Sequence, residues 1–178
     1  MRLFHFSDEA KIEVFTPRPV QVPVQRREGH AWLNGPLVWS IDECHEPLYL
    51  FPRECPRILV WATPETRPDE HEAWFGGGGR RAIAHIERCW LDRLSTATIH
   101  RYELPPAFFE PLGDAGMWVS GNPVRPIDVQ AISNLPARLE SRGVELRVVE
   151  TLTVLKDVWS TSLHASGLRL RNAEGWGR

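Results

Sequence analysis

The sequence predicts an α+β fold: a single domain over residues 1–178, built on a split mixed/antiparallel β-sheet with a few short helices. Three observations carry this. Segments with two-residue alternation, rich in β-branched and aromatic residues, recur along the chain and outnumber helix-type segments. Helical spacing is confined to short stretches. The two kinds do not alternate as the regular βαβ units that a doubly wound parallel sheet requires. At 178 residues the chain can bury one sizeable core and is short for two.

The first element is Leu3-Phe4-His5-Phe6-Ser7, a strand bounded by the polar Asp8-Glu9. Its period puts Leu3, His5 and Ser7 on one face and Phe4 and Phe6 on the other. The Phe face calls for a core. The His/Ser face sets an imidazole beside a hydroxyl, which suits either a ligand's polar groups or a histidine satisfied by a backbone carbonyl. Residues 10–15 seat a short turn or strand. An extended arm follows at about residues 17–27, where Pro17, Pro19 and Pro23 exclude a helix and a central strand. Arg18, Arg26 and Arg27 make this arm the most basic local patch, either a solvated loop or a grip for a phosphate.

Asn34-Gly35-Pro36 is a turn, and residues 37–41 form a strand apolar nearly throughout, placed inside its sheet. Asp42 closes it ahead of a short helix over residues 43–51, which Pro52 stops. Residues 58–62 form a second buried strand. A short acidic helix over residues 67–75 leads to a flexible loop of four glycines at 76–79. Arg80-Arg81 follow those glycines where a P-loop needs Gly-Lys-Ser/Thr, so no P-loop is read there. Strands are expected over 82–86 and 98–104, a helical turn over 89–94, and strands over Met117–Ser120 and 129–132. Pro136 opens a helix that ends at Gly143. Val144–Val149 reads as a strand or the start of a longer helix. Leu152, Leu155, Trp159 and Leu163 space a helix over 151–163, and the tail frays after Asn172. The first strand should lie beside 37–41 or 58–62, with Phe4, Trp39, Trp61, Trp118 and Val119 as core or cleft wall.

Composition narrows the function. A net charge of −2 gives no general pull toward nucleic acid or anionic membrane. No apolar run reaches the length of a membrane span, and Met1-Arg2-Leu3 does not open a secretory signal. Cys44, Cys55 and Cys89 form no CxxC pair, which suits a reducing cytoplasm. Eight tryptophans supply flat surfaces to bury or to stack. Oligomeric state is not legible.

Polar groups of catalytic type gather in the early strands: His5, Ser7, Ser40, Asp42, His45 and Cys55. Asp42 and His45, three apart, offer a metal pair that His5 or Cys55 would complete. Ser7, Ser40 and Ser120 lack the Gly-x-Ser-x-Gly setting of an activated nucleophile. Nucleotide recognition is the third reading. Here Leu3-Phe4-His5-Phe6-Ser7, Val38-Trp39-Ser40-Ile41-Asp42 and Pro47-Leu48-Tyr49-Leu50-Phe51-Pro52-Arg53-Glu54-Cys55-Pro56-Arg57-Ile58 carry a likeness, continued through Ala115-Gly116-Met117-Trp118-Val119-Ser120, Gly143-Val144-Glu145-Leu146-Arg147 and Leu168-Arg169-Leu170-Arg171-Asn172-Ala173. Together they resemble a family of uncharacterised bacterial proteins over nearly the whole chain, a domain of unknown function that supplies no activity.

More distantly, His5 followed by Ser7 resembles the first strand of the ADP-ribosyltransferase-like fold. That resemblance implies that His5 bonds an adenosine-side ribose hydroxyl of NAD and that Ser7 steadies the nicotinamide side. Trp39 and Ser40 resemble its second strand, and Met117-Trp118-Val119-Ser120 with Val124-Arg125-Pro126 its third. Active members place a Glu at or just before that third strand; Gly116, Met117 and Trp118 stand there in this chain. The expectation is a cleft lined by His5, Ser7, Trp39, Ser40 and Trp118, with Arg18 or Arg26 at its rim. It would bind NAD or a related nucleotide, and no metal is expected as cofactor. ADP-ribosyl transfer or NAD hydrolysis would need an acid recruited from elsewhere, such as Glu103 or Glu145. Two alternatives stay open: a non-enzymatic nucleotide-binding or interaction module, and a metal-binding protein through Asp42, His45 and Cys55.

Overall fold

A computed structural model describes residues 1–21, 23, 25 and 28–177. Arg26 and Arg27, expected in the basic arm, lie outside the described residues. The strands in chain order are β1 (Leu3–Ser7), β2 (Val38–Asp42), β3 (Arg57–Trp61), β4 (Ala82–Glu87), β5 (Ile99–Leu104), β6 (Glu110–Pro111), β7 (Met117–Ser120), β8 (Asp128–Ile132), β9 (Val144–Val149) and β10 (His164–Leu168). Three α-helices are described, α1 (Pro68–Phe75), α2 (Leu91–Thr96) and α3 (Leu135–Ser141). The architecture is α+β, with strands in the majority. The chain divides into two compact units: Met1–Glu46 with Ile99–Ile132, and Pro47–Thr98 with Ser133–Arg178.

The first unit holds a six-stranded sheet in the order β6-β7-β2-β1-β5-β8, every neighbouring pair antiparallel. β1 lies beside β2, as expected of residues 37–41, whereas residues 58–62 belong to the other sheet. Registers define the faces. Leu3 pairs with Leu104 and Asp42, His5 with Tyr102, Ser7 with His100, and Ser40 with Trp118, so these share one face. Phe4, Ile41, Trp39, Arg101 and Glu103 share the other.

That distribution corrects the expected division of labour on β1. The His5 face carries a core of its own: Leu3, Val38, Tyr102 and Leu104, covered by Phe15, Phe109 and Val124. The cover stays on because Phe15 and Val124 exchange backbone hydrogen bonds at 2.8 and 2.9 Å. The Tyr102 hydroxyl also donates to Glu9 O (2.7 Å) and accepts from Ile12 N (3.1 Å). Phe4 is buried on the opposite face, with the guanidinium of Arg101 4.5 Å and that of Arg2 4.9 Å from its ring centre. Val119 is buried as expected, and Trp39, Trp61 and Trp118 are half-buried.

The second unit holds a four-stranded sheet, β10-β3-β4-β9, antiparallel except for the parallel pair β4 and β9. All six residues of β4 are buried, as suits an inner strand. Its core joins Ile58, Val60, Ile83, Phe75, Leu152, Val158 and Leu163. α1 starts with Pro68 and carries Asp69 and Glu70 in its first turn, both favourable there.

Three expected elements change. The helix over 43–51 shrinks to a 3-10 turn, Glu46–Tyr49, because Pro47 inside it cannot donate. The segment Leu152–Ser160 is a 3-10 helix and not an α-helix. Leu152, Leu155 and Val158 recur every third residue, which a three-residue turn stacks on one side. The tail does not fray after Asn172: Ala173 is buried, and Glu174 N donates to the buried carboxylate of Glu87 at 3.0 Å.

Candidate functional site

The residues singled out on β1, β2 and β7 lie in the first unit, on three neighbouring strands. β1 is paired with β5 along all five residues, but its register with β2 covers Leu3 and Phe4 and stops there. His5 stands where β1 and β2 part. Its Nδ1 is 2.8 Å from the carbonyl oxygen of Trp39. A carbonyl only accepts, so Nδ1–H donates, and the imidazole takes the place of a ladder bond. The ring also lies 4.6 Å from that of Phe15. His5 is thus oriented on two sides by the protein.

Ser7 and Ser40 are buried on the same face. Ser7 Oγ accepts from Glu9 N (3.1 Å), closing the turn after the strand, and Ser40 Oγ donates to Trp118 O at 3.4 Å. Trp118 is half-buried there. Trp39 alternates to the opposite face and meets the group through its backbone carbonyl. Arg18 is exposed; its backbone bridges Leu37 just ahead of β2.

The fold adds groups that sequence reasoning passed over. His100 comes opposite Ser7, and its buried Nδ1 has no hydrogen-bond partner among the described residues. The alternation of β5 put His100 and Tyr102 on one face, but only strand pairing brings that face to Ser7. At the far end of β2, Asp42 Oδ1 accepts from both the backbone N and the Nδ1 of His45, each at 2.8 Å. Gly116 backs this pair. Its φ is +69°, and a Cβ there would come within 2.3 Å of His45 Nδ1 and 2.6 Å of Asp42 Oδ2. The left-handed backbone and the close approach both call for glycine.

Of the residues of the metal alternative, Asp42 and His45 bond each other, and the Cys55 thiol donates to Pro56 O. Burial pushes that thiol up to about 12, away from the thiolate a metal takes. Among the described residues, no three His, Cys, Asp or Glu side chains form a metal set.

Two grooves of this unit lie away from the His5 side chain. One, of about 210 Å³, lies over the Phe4 face between Arg2, Arg101, Glu103, Asp128 and Gln130. The hydrogen bond from Arg2 holds the Glu103 carboxyl below its ordinary range. The other, of about 450 Å³, is bordered by Val14, Phe108, Pro123 and Arg125, with Phe108 57 % exposed. His5 and Trp118 are half-buried on the same face as the Ser7 and Ser40 hydroxyls, and Trp118 packs against the core of that face. The serine hydroxyls already serve the backbone, and the arrangement contains no activated nucleophile among the described residues.

No helix of the described residues is long and apolar enough to cross a membrane. Comparison with curated proteins gives no match, and comparison with solved structures gives none either. A family profile matches residues 4–173, so nearly the whole of both units is common to one family: the chain belongs to the Family of unknown function (DUF6886).

Proposed function

We propose that this chain binds NAD or a related nucleotide on the His5 face of its six-stranded sheet, as a binding module and not as a transferase. The observation that carries the reading is the parting of β1 from β2 at His5, with Ser7, Ser40 and Trp118 on the same face. The three stretches that resemble the ADP-ribosyltransferase-like fold are consecutive neighbours, β1, β2 and β7. In this reading the oriented ring of His5 and the face of Trp118 hold the ribose and base. Arg18, exposed beside the start of β2, serves a phosphate.

Transfer of ADP-ribose passes through an oxocarbenium-like transition state that a carboxylate must steady. Gly116, Met117 and Trp118 bring none to the third strand. Glu103 is on the opposite face of the sheet and engaged by Arg2, so it does not replace it. Calorimetric titration with NAD, ADP-ribose and AMP, with chromatography for released nicotinamide, tests the reading. Binding without release is expected. Catalytic release of nicotinamide would make the protein an enzyme, and failure to bind all three ligands would end the nucleotide reading.

A further inference from the structure

In the second unit Arg57 opens β3 with only 3 % of its surface exposed. A buried guanidinium ordinarily faces a carboxylate, because desolvating an unpaired charge is expensive. Here Nε donates to Leu48 O (2.9 Å) and Nη1 to Cys55 O (3.0 Å). The group lies 5.0 Å from the ring centre of Phe51 and 5.7 Å from that of Tyr49. Carbonyls and ring faces orient the cation, and no carboxylate is hydrogen-bonded to it among the described residues.

More cations converge on the same corner. β10 ends at Leu168, the register partner of Arg57, and the chain continues into Arg169. Arg169 is held at φ +56°, a left-handed conformation that a side-chain-bearing residue adopts at some strain. Its Nε donates to Arg53 O at 3.1 Å. Arg171 follows, 3.2 Å from Glu54 Oε2, which also accepts from Asn172 Nδ2 at 2.9 Å. Arg169 and Arg171 thus share the carboxylate of Glu54, at 3.7 and 3.2 Å, and they follow the strand end that is paired with the buried Arg57. Exposure rises from 3 % at Arg57 to side-chain values of 29 % at Arg169 and 41 % at Arg171, so the charge is graded from interior to solvent. Burial pushes Arg57 down to about 10, and burial also lowers Arg169, against the opposing pull of Glu54.

We propose that this arginine cluster is a phosphate-binding site, with Arg57 as its buried floor and Arg169 and Arg171 as its mouth. The oxygens of a phosphate group accept from planar guanidinium forks, and its charge offsets the mutual repulsion of the arginines. The site is independent of the nucleotide reading, which rests on the other unit.

The test is melting and calorimetry of the full chain in sodium phosphate against sodium chloride at matched ionic strength. Glycerol phosphate and pyrophosphate form two further arms. Phosphate is expected to raise Tm by a few degrees and to saturate. Tighter binding of glycerol phosphate than of inorganic phosphate identifies a monoester as the natural ligand, and tightest binding of pyrophosphate identifies a diphosphate. Arg169→Gly removes a cation and relaxes the left-handed backbone. It should keep its Tm in chloride and weaken phosphate binding about tenfold or more. Arg171→Gln, on the half-exposed rim, should weaken it in the same direction, and His5→Ala should leave it unchanged. Equal melting in phosphate and chloride would overturn the site, as would wild-type phosphate affinity in both arginine variants.

Discussion

The two sheets treat buried charge in opposite ways. In the six-stranded unit the largely buried Arg101 has its own carboxylate: Nη1 is 2.8 Å from Glu46 Oε2, with side-chain exposures of 15 % and 2 %. His5, Ser7 and Ser40 end on backbone atoms. In the four-stranded unit Arg57 ends on carbonyls and Glu87 ends on the backbone N–H groups of Leu152 and Glu174. A buried ion paired inside its own unit holds structure together. A buried ion left with neutral partners keeps a field that an outside ligand can answer.

The largest effect expected from this contrast is at Glu46. Glu46→Ala strands Arg101 as an uncompensated buried cation and should destabilise by about 3–5 kcal/mol in urea unfolding. Arg57→Met removes a desolvated charge together with two carbonyl partners, and should cost less, about 1–3 kcal/mol. Equal losses would break the comparison, since Arg57 would then be as fully compensated as Arg101.

His85 gives the comparison a pH axis. Burial, with Arg147 acting in the same direction, lowers its folded pKa from 6.5 to about 4. The unfolded chain therefore binds the proton first as pH falls. The stabilisation is fully present above pH 6.5 and is lost between 6.5 and about 4, roughly 3 kcal/mol in all. His85→Leu should flatten that part of the acid limb when urea midpoints are followed against pH. An unchanged slope would mean that His85 has the same pKa in the folded and unfolded chain.

At His5 the protein supplies the partner, so His5→Ala should lower stability by about 1–3 kcal/mol through the lost bond to the Trp39 carbonyl and the lost contact with Phe15. Nucleotide titration of the same variant separates packing from recognition. A lower Tm with unchanged nucleotide affinity would refute the site, whereas lost affinity supports it. The smallest effect belongs to Arg2→Ala. Its pairs with Glu43 and Glu103 are at the surface, so the loss should stay below ~1 kcal/mol and fade with added salt.

Much of the local structure was legible because strand period is a local property. Leu3–Ser7 and Met117–Ser120 can be bounded from alternation and turn residues alone, whereas Val144–Val149 reads equally as a strand or the start of a helix until it pairs with β4. The 3-10 segment Leu152–Ser160 was harder to read, because a repeat of three serves both helix types until packing selects one. Arg57 left a trace in the sequence, a lone arginine opening the apolar run Ile58-Leu59-Val60. An arginine there reads equally well as a solvated strand end, and only burial separates the two.

By itself the sequence determined the α+β class, most strands, the pairing of faces along each one, and the candidacy of His5, Ser7, Ser40 and Trp118. All of these follow from neighbours a few residues apart. Tertiary structure alone decided that β1 lies between β2 and β5, that His100 meets Ser7, that Asp42, His45 and Gly116 close on one another, and that Arg57 and Arg169 share a corner. Each of these joins residues whose meeting depends on strand order and register. Those are set by how whole faces bury against one another, a free energy that no single stretch of chain carries.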